Sequence, residues 1–436
     1  MSAAPNDNPP DNPPELDVLV VGGGPAGAVA AWDLARRGHR VELIDRATHP
    51  RFHIGESLLP CVEATLDEMG IERDPKIFRR KGGAEFWNER SDKHAEYLFA
   101  DGLDGTPGQA HHVERSLFDA RLLECAREAG AKLTMGHKVV RFESDASEAR
   151  VWVEGESEPR RARFVVDATG QDALGARQEK GRRNLRGLGV AATFMHGDGL
   201  EASAHAAIGE RGNIHVFMLE GGWAWLIPLP DGRVSLGRVS REKGLAAQDV
   251  NALLESSPRL AEMTRGARWS EPKMIRNFSY ANDVPAGPRR ACVGDASLFL
   301  DPVFSSGVSM ALESARRLAD VLSPALEAGT EADPELTTPV HAHLHRAYLT
   351  FGSLVWSFYQ TRLVDHIFFA DDPTPELRRG LISLLAGDIW RDDNTFARQL
   401  ANAKRRRFDP CDPADPIAGS GAGSGAGSGA EATAEA

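Results

Sequence analysis

Leu16-Asp17-Val18-Leu19-Val20-Val21-Gly22-Gly23-Gly24-Pro25-Ala26-Gly27 decides the fold. Leu16 to Val21 is an apolar run of strand length. The glycine-rich turn opens an Ala-rich segment, Ala28 to Arg37, which stops at Gly38. Strand, Gly-x-Gly-x-x-Gly, helix is the context in which this motif carries physical meaning. Gly22 permits the tight turn, Gly24 lets the backbone approach a pyrophosphate, and Gly27 lets the helix sit close to the sheet. The backbone around Ala26, at the positive end of the helix, faces the phosphates. Val41 to Ile44 supplies the next strand and ends at Asp45, which can accept hydrogen bonds from ribose hydroxyls, with Arg46 beside it. These residues predict a Rossmann-like βαβ unit holding a dinucleotide.

Outward from this unit, Arg115 to Ala129 carries Leu117, Phe118, Ala120, Leu122 and Leu123 in a helical pattern and ends at Gly130. Phe142 to Gly155 and Arg163 to Val166 alternate or run apolar, as strands do. Residues 187–285 are strand-rich and punctuated by turns, with Ile214 to Leu219, Trp223 to Leu229 and Val234 to Val239 as the clearest strands. They predict an antiparallel, substrate-facing sheet. Ala291 to Val293 returns to a short buried strand, followed by a loop and a helix from Ser309 to Leu322. The expected organisation is a disordered Pro/Asn/Asp-rich lead-in (1–14) and a cofactor-binding region in two parts (15–186 and 286–325) around the sheet. A helical C-terminal region (326–410) and a flexible Gly/Ser/Ala-rich tail (411–436) follow.

Composition narrows the function classes. With 51 Lys+Arg against 63 Asp+Glu the net charge is −12, which offers no basic footprint for nucleic acid. The run Lys404-Arg405-Arg406-Arg407 is a local exception, readable as a solvated helix end or as a dock for an acidic partner. No apolar run reaches the length of a membrane span and the N-terminus does not read as a secretory signal. Cys61, Cys125, Cys292 and Cys411 lie far apart without a CxxC, which predicts no metal site, no disulfide framework and a reducing, cytoplasmic setting.

Three further segments turn dinucleotide into FAD by resemblance to flavoprotein monooxygenase-like folds. Gly294-Asp295 resembles the second fingerprint, in which the Asp meets the ribityl chain. Arg115-x-x-Phe118-Asp119-x-x-Leu122 resembles the arginine-bearing helix, and Asp167-Ala168-Thr169-Gly170 the strand-to-loop turn. The resemblance implies an α/β fold of that type, with an antiparallel-sheet substrate domain and a helical C-terminal region.

Within that superfamily the chain resembles the flavin-dependent halogenases from about Leu16 to Phe396. Arg51-Phe52-His53-Ile54-Gly55-Glu56-Ser57-Leu58-Leu59-Pro60 is shared with geranylgeranyl-reductase-like enzymes and places Ser57 near the flavin. Trp223-x-Trp225-x-Ile227-Pro228 matches the halogenase pattern WxWxIP; the resemblance implies that the tryptophans keep the organic substrate off the flavin. As a bare strand, Trp223 and Trp225 are two large apolar residues on one face. Phe299-x-x-Pro302-x-x-Ser305-x-Gly307 matches FxxPxxSxG and implies that backbone N–H groups at Ser306 and Gly307 bind chloride or bromide; on its own the loop simply cups the flavin. Lys81 lies beside two glycines and after two arginines, the setting of a solvated loop charge. By resemblance it is instead the lysine that polarises hypohalous acid or carries the halogen as a chloramine.

Tryptophan halogenases carry a glutamate immediately before the Ser of FxxPxxSxG, where this chain has Phe304. The glycine motif, Asp301-Pro302 and Leu384-Leu385-Ala386-Gly387-Asp388 resemble instead the halogenases of phenols and carrier-bound pyrroles. The reading is a halogenase using reduced FAD, oxygen and halide on a phenol or pyrrole, free or tethered to an acyl carrier protein. The reduced flavin is expected from a separate reductase, because no second GxGxxG offers a nicotinamide site. An FAD-dependent aromatic monooxygenase and a geranylgeranyl-reductase-like saturase remain as alternatives.

Overall fold

The computed structural model describes residues 15–241, 250–255, 257–359, 367–370, 374–402 and 408–415. The lead-in, the Lys404–Arg407 run and the Gly/Ser/Ala stretch from Gly419 lie outside them.

The first sheet is built on β1 (Leu16–Val21) and β2 (Val41–Asp45). The strands β3 (Phe78–Lys81), β4 (Gly83–Asn88), β5 (Lys93–Leu98) and β6 (Ala110–Val113) follow, but none of them joins it. It is completed by β7 (Lys132–Met135), β8 (Val139–Ser144), β9 (Ala149–Val153), β10 (Arg160–Asp167) and the strands Ala286–Gly287 and Arg290–Cys292. Arg290–Cys292, β10, β1, β2 and β7 run parallel in that order. β1 is central and buried, which is why it reads as a continuous apolar run rather than an alternation. The first helix, Pro25–Arg36, packs against the helices Arg115–Glu128 and Ser306–Ala328. Its alanines, such as Ala28 and Ala31, meet Leu122, Leu312 and Ala315 in one core.

After β11 (Arg182–Asn184), which belongs to a small separate sheet, the second sheet contains β12 (Ala191–Asp198), β13 (Ile214–Leu219), β14 (Gly222–Pro228) and β15 (Val234–Ser240) in the order β12-β15-β14-β13, all antiparallel. Its helix-covered face buries Trp223, Trp225, Phe86 and Tyr97 with Phe351, Leu354 and Phe358 of the helix Thr338–Tyr359. Arg346 and Trp356 extend that helix's contacts outward to Asp392 and Phe408. Among the described residues no helix is long and apolar enough to cross a membrane.

Three expectations are corrected by the structure. The second sheet is not confined to residues 187–285, nor wholly antiparallel: β4 adds to its edge, pairing parallel with β13 (Ile214 opposite Ala84), and β5 pairs with β4. Residues 142–155 are not one strand, because Asp145 accepts the N–H groups of Ser147 (2.7 Å) and Glu148 (3.1 Å) and turns the chain between β8 and β9. The helix expected from Ser309 starts at Ser306. Its Ser/Gly-rich first turn looks like loop, but Ser309 Oγ donates to the Ser306 carbonyl (2.7 Å), so the buried hydroxyl is satisfied inside the helix.

Candidate active site

A cavity of about 600 Å³ opens where the two sheets meet. One wall is the glycine loop from Gly22 to Ala26. Gly27 lies behind it: a Cβ there would collide with the Gly22 carbonyl oxygen, so the glycine is what lets the helix pack this closely. At Gly24 an added Cβ would meet no protein atom within 4 Å, and the loop is open at that point. Gly24 caps the first helix with no side-chain hydrogen bond, so the helix presents unpaired N–H donors.

Asp45 and Arg46 form the rim. Asp45 accepts the N–H of Gly23 and, at 2.7 Å, that of Ala47. Burial pushes its carboxyl up, but His49 and these N–H groups outweigh it and hold the group below the usual carboxylate range. Arg46 pairs with Asp172 at 2.7 Å across the rim.

A strap, Arg51 to Ser57, crosses the cavity and is tied down by Arg115. The guanidinium is bidentate to Asp119 (2.8 and 3.0 Å) and donates to the carbonyls of Ile54 (2.7 Å) and Gly55 (3.0 Å). On the strap, Ser57 Oγ and Glu56 Oε2 are buried without a protein partner, while Glu56 Oε1 binds His196 Nε2 at 2.7 Å. Buried polar atoms of this kind need a ligand or water to satisfy them.

The floor is Asp295, Pro302, Ser305 and Gly307. Gly294 itself does not line the cavity; it takes a φ of +59° against Ala26 and Ala311 and turns Asp295 inward. Burial raises the Asp295 carboxyl to about 7, against the pull of Arg115. Ser305 is left-handed (φ 56°) and gives no side-chain cap to the helix that begins at Ser306, so the first N–H groups of that helix are unpaired there. Ser306 is buried and does not line the cavity.

The far wall is Trp223 and Trp225, with ring centroids 5.7 Å apart, flanked by Phe194 and Ile227. Their shared face follows from strand alternation. Gly237 sits opposite Trp225 in register, leaving the space its indole fills.

Lys81 does not line this cavity. It ends β3 and is 1% exposed, so it is not the solvated loop charge its neighbours in sequence suggest. Its Nζ donates to the Leu58 carbonyl (2.9 Å), one residue beyond Ser57 on the strap, and lies 5.2 Å from the Phe99 ring centroid. Burial pushes the amine down to about 7.

Open glycine backbone, two unpaired helix N-termini, an acidic rim and orphaned strap oxygens fit a dinucleotide. Residues 15–338 match the family model of the FAD binding domain. The chain is 32% identical to a tryptophan 2-halogenase of Chondromyces crocatus over 376 residues, covering 82% of this chain and 70% of that protein. The chain belongs to the flavin-dependent halogenase family. A 1H-pyrrole-2-carbonyl-[peptidyl-carrier protein] chlorinase of Pseudomonas fluorescens (strain Pf-5) is 26% identical, with 86% of this chain and 90% of that one covered. The solved structure of the myxobacterial chondrochloren halogenase is similar at a TM-score of 0.68 and 29% identity, covering 88% of this chain and 92% of that one. The protein is an FAD-dependent halogenase, and halide is its co-substrate.

Of the residues singled out in the sequence, Gly22, Gly24, Ala26, Asp45, Arg46, Ser57, Arg115, Asp295, Pro302, Gly307, Trp223 and Trp225 surround the cavity. Gly27 and Gly294 shape it from behind; Ser306 and Lys81 stand outside it. Glu56 and Phe194 escaped attention. Glu56 sits inside a stretch read as a superfamily marker, and Phe194 carries no motif.

Proposed function

We propose that this halogenase acts on an electron-rich ring, a phenol or pyrrole, free or tethered to an acyl carrier protein, with Lys81 as its catalytic residue. When bound and reduced, FAD supplies the electrons that let dioxygen oxidise chloride or bromide to hypohalous acid. A separate flavin reductase delivers the reduced flavin. The chain's own share is binding, exclusion and delivery.

In this reading the open loop at Gly24 takes the pyrophosphate, Asp45 the ribose, and Asp295 the ribityl chain. The unpaired N–H groups at Ser306 and Gly307 hold the halide. Trp223 and Trp225 form the wall that keeps the ring away from the flavin while hypohalous acid passes toward Lys81. There the amine donates N–H to the oxygen of the acid, or as the free base takes the halogen and releases water. The ring carbon then gains the halogen and gives up its proton.

The observation that carries this reading is the state of Lys81. An amine held fully buried with a backbone carbonyl for a partner, and pushed down to about 7, is poised between both forms at neutral pH. A packing position has no use for it. Phe304, buried where the tryptophan-type pattern has glutamate, supports a neutral ring rather than an amino acid as substrate.

The test is a mass-spectrometric screen of phenols and carrier-bound pyrroles with bromide, oxygen and a reductase-regenerated flavin, run beside Lys81→Ala. Wild type should give halogenated product. Lys81→Ala should bind FAD, consume oxygen and release oxidant, yet lose product by orders of magnitude. Near wild-type product from Lys81→Ala removes the lysine from the mechanism; bromide-independent hydroxylation by wild type removes the proposed reaction.

A further inference from the structure

Behind the indole wall lies a buried polar chain that no cofactor or halide role requires. Trp223 Nε1–H donates to Tyr359 Oη at 3.1 Å. Tyr359 in turn donates its hydroxyl proton to Asp301 Oδ2 at 2.6 Å. The same oxygen accepts the N–H of Gly189 at 3.1 Å, and Oδ1 accepts that of Val303 at 3.2 Å. Trp223, Tyr359 and Asp301 are all buried. Trp225 is anchored differently, by Ser235 Oγ of the neighbouring strand at 3.2 Å.

The position of Asp301 gives the chain its meaning. It caps the short turn Pro302–Phe304, which leads directly into left-handed Ser305 and the helix N-terminus at Ser306. One carboxylate therefore holds the indole wall on one side, through Tyr359, and the floor of the cavity on the other. Apolar residues would fill the same space, and burying a carboxyl in their place is costly.

We infer that Tyr359 and Asp301 are positioning residues that fix the Trp223 indole against the cavity and tie its setting to the Pro302–Ser305 loop. The inference rests on the reading of that cavity as the halogenation site and of Trp223 as its wall. Fixing an indole that must keep the organic ring off the flavin while oxidant passes toward Lys81 is a specificity function: a wall free to rock leaks oxidant.

The clamp has a defined pH behaviour. Burial pushes the Asp301 carboxyl up to about 6, against the hydrogen bonds from Tyr359, Gly189 and Val303. Burial and then Asp301 push the Tyr359 phenol well above its ordinary value, so it stays a hydroxyl donor throughout. The charged group facing the pair is Arg241, whose guanidinium lies 5.4 Å from the Tyr359 ring centroid. Above about pH 6 the ionised carboxylate accepts the Tyr359 hydrogen bond strongly, and the phenol oxygen becomes a better acceptor for the indole N–H. Below it, a protonated Asp301 loosens both bonds.

The experiment follows the indole N–H groups of ¹⁵N-tryptophan-labelled, FAD-loaded protein by NMR between pH 5 and 8, with Trp223 assigned through Trp223→Phe. The Trp223 resonance should titrate with a midpoint near pH 6 in wild type. Tyr359→Phe and Asp301→Asn should each abolish that titration, and Tyr359→Phe should speed solvent exchange of the indole proton tenfold or more. Since Tyr359 does not line the cavity, FAD affinity in Tyr359→Phe should stay within about twofold, while oxidant trapped outside the protein per oxygen consumed rises several-fold. A Trp223 resonance and exchange rate unmoved by Tyr359→Phe overturn the inference, and Asp301→Asn, read in the same way, decides it if Tyr359→Phe does not fold. Failure of the proposed reaction reads out separately, as a normal titration in a protein that forms no halogenated product.

Discussion

Lys81→Met should make the FAD-free protein more stable, and more so at neutral than at alkaline pH. Burial pushes the amine from a lysine's ordinary range to about 7. Holding it in the fold at pH 7 therefore costs about 4 kcal/mol relative to the unfolded chain. Methionine has a similar length and keeps the contact with Phe99. It leaves the Leu58 carbonyl without its donor, at about 1–3 kcal/mol, so the net gain at pH 7 is about 2 kcal/mol. The sign with pH is fixed, because the folded value lies below the unfolded one. Between about pH 7 and 10 the unfolded chain holds a proton that the fold lacks, and wild-type stability rises by about 1.4 kcal/mol per pH unit. The cost is at its full value below that window and fades above it. The advantage of Lys81→Met should thus fall by about 2.3 kcal/mol from pH 7 to pH 9, which brings it close to zero. Urea unfolding of both proteins at pH 7, 8 and 9, followed by tryptophan fluorescence, measures it, and groups common to both cancel. An advantage unchanged across that range would mean that the amine is solvated. Destabilisation of equal size at every pH would mean that the Leu58 bond outweighs burial; either result refutes the reasoning.

Gly24→Val should abolish FAD retention while leaving the melting temperature of the FAD-free protein nearly unchanged, since a Cβ there meets no protein atom; Gly27→Val should lower that temperature sharply, because it strikes the Gly22 carbonyl. Arg115→Met strands the buried Asp119 and frees the strap, so calorimetry should show a loss of about 3–5 kcal/mol, with weakened FAD binding. Asp295 has the opposite pH sign to Lys81: its folded value is raised, so its cost builds between about pH 4 and 7 and is full above that. Asp295→Asn should therefore stabilise the FAD-free protein at pH 8 and do little at pH 4, as melting curves at the two values will show.

The elements that the sequence made legible are those whose signal is local. β1 and β13 fall where the apolar runs place them, at Leu16–Val21 and Ile214–Leu219, because a buried strand bounded by turn residues needs no distant information. The strands β4 and β5, at one end of the second sheet, gave no such signal. Glu85, Asn88, Lys93, His94 and Glu96 interrupt their apolar pattern. Their place in the second sheet is set by pairing across about 130 residues, as between Ala84 and Ile214, a long-range term that local propensity cannot contain. The same holds for the site. Loop glycines and the paired tryptophans are legible because backbone geometry demands them where they stand. The Tyr359–Asp301 link joins a C-terminal helix to a loop 58 residues away, and Tyr359 by itself is one aromatic residue in a helix.

Burial of charge separates the scaffold from the chemistry in this protein. Arg115 and Asp119 are both buried, but they neutralise each other through two hydrogen bonds, and the guanidinium's remaining donors are taken by strap carbonyls. That is how a fold buries charge for structure: every group is answered. Lys81, Asp295 and Asp301 are treated otherwise. Each is pushed toward its neutral form by burial, and none has a salt-bridge partner of its own among the described residues. Groups left in that state lower stability, and apolar residues of equal size would serve packing better. They stand at three places around one cavity: beside the strap, on the floor, and behind the indole wall. A scaffold has no reason to concentrate such costs there. A site that must move a proton or hold an oxidant does, and burial of this kind is the physical support, independent of any relative, for the role proposed for Lys81.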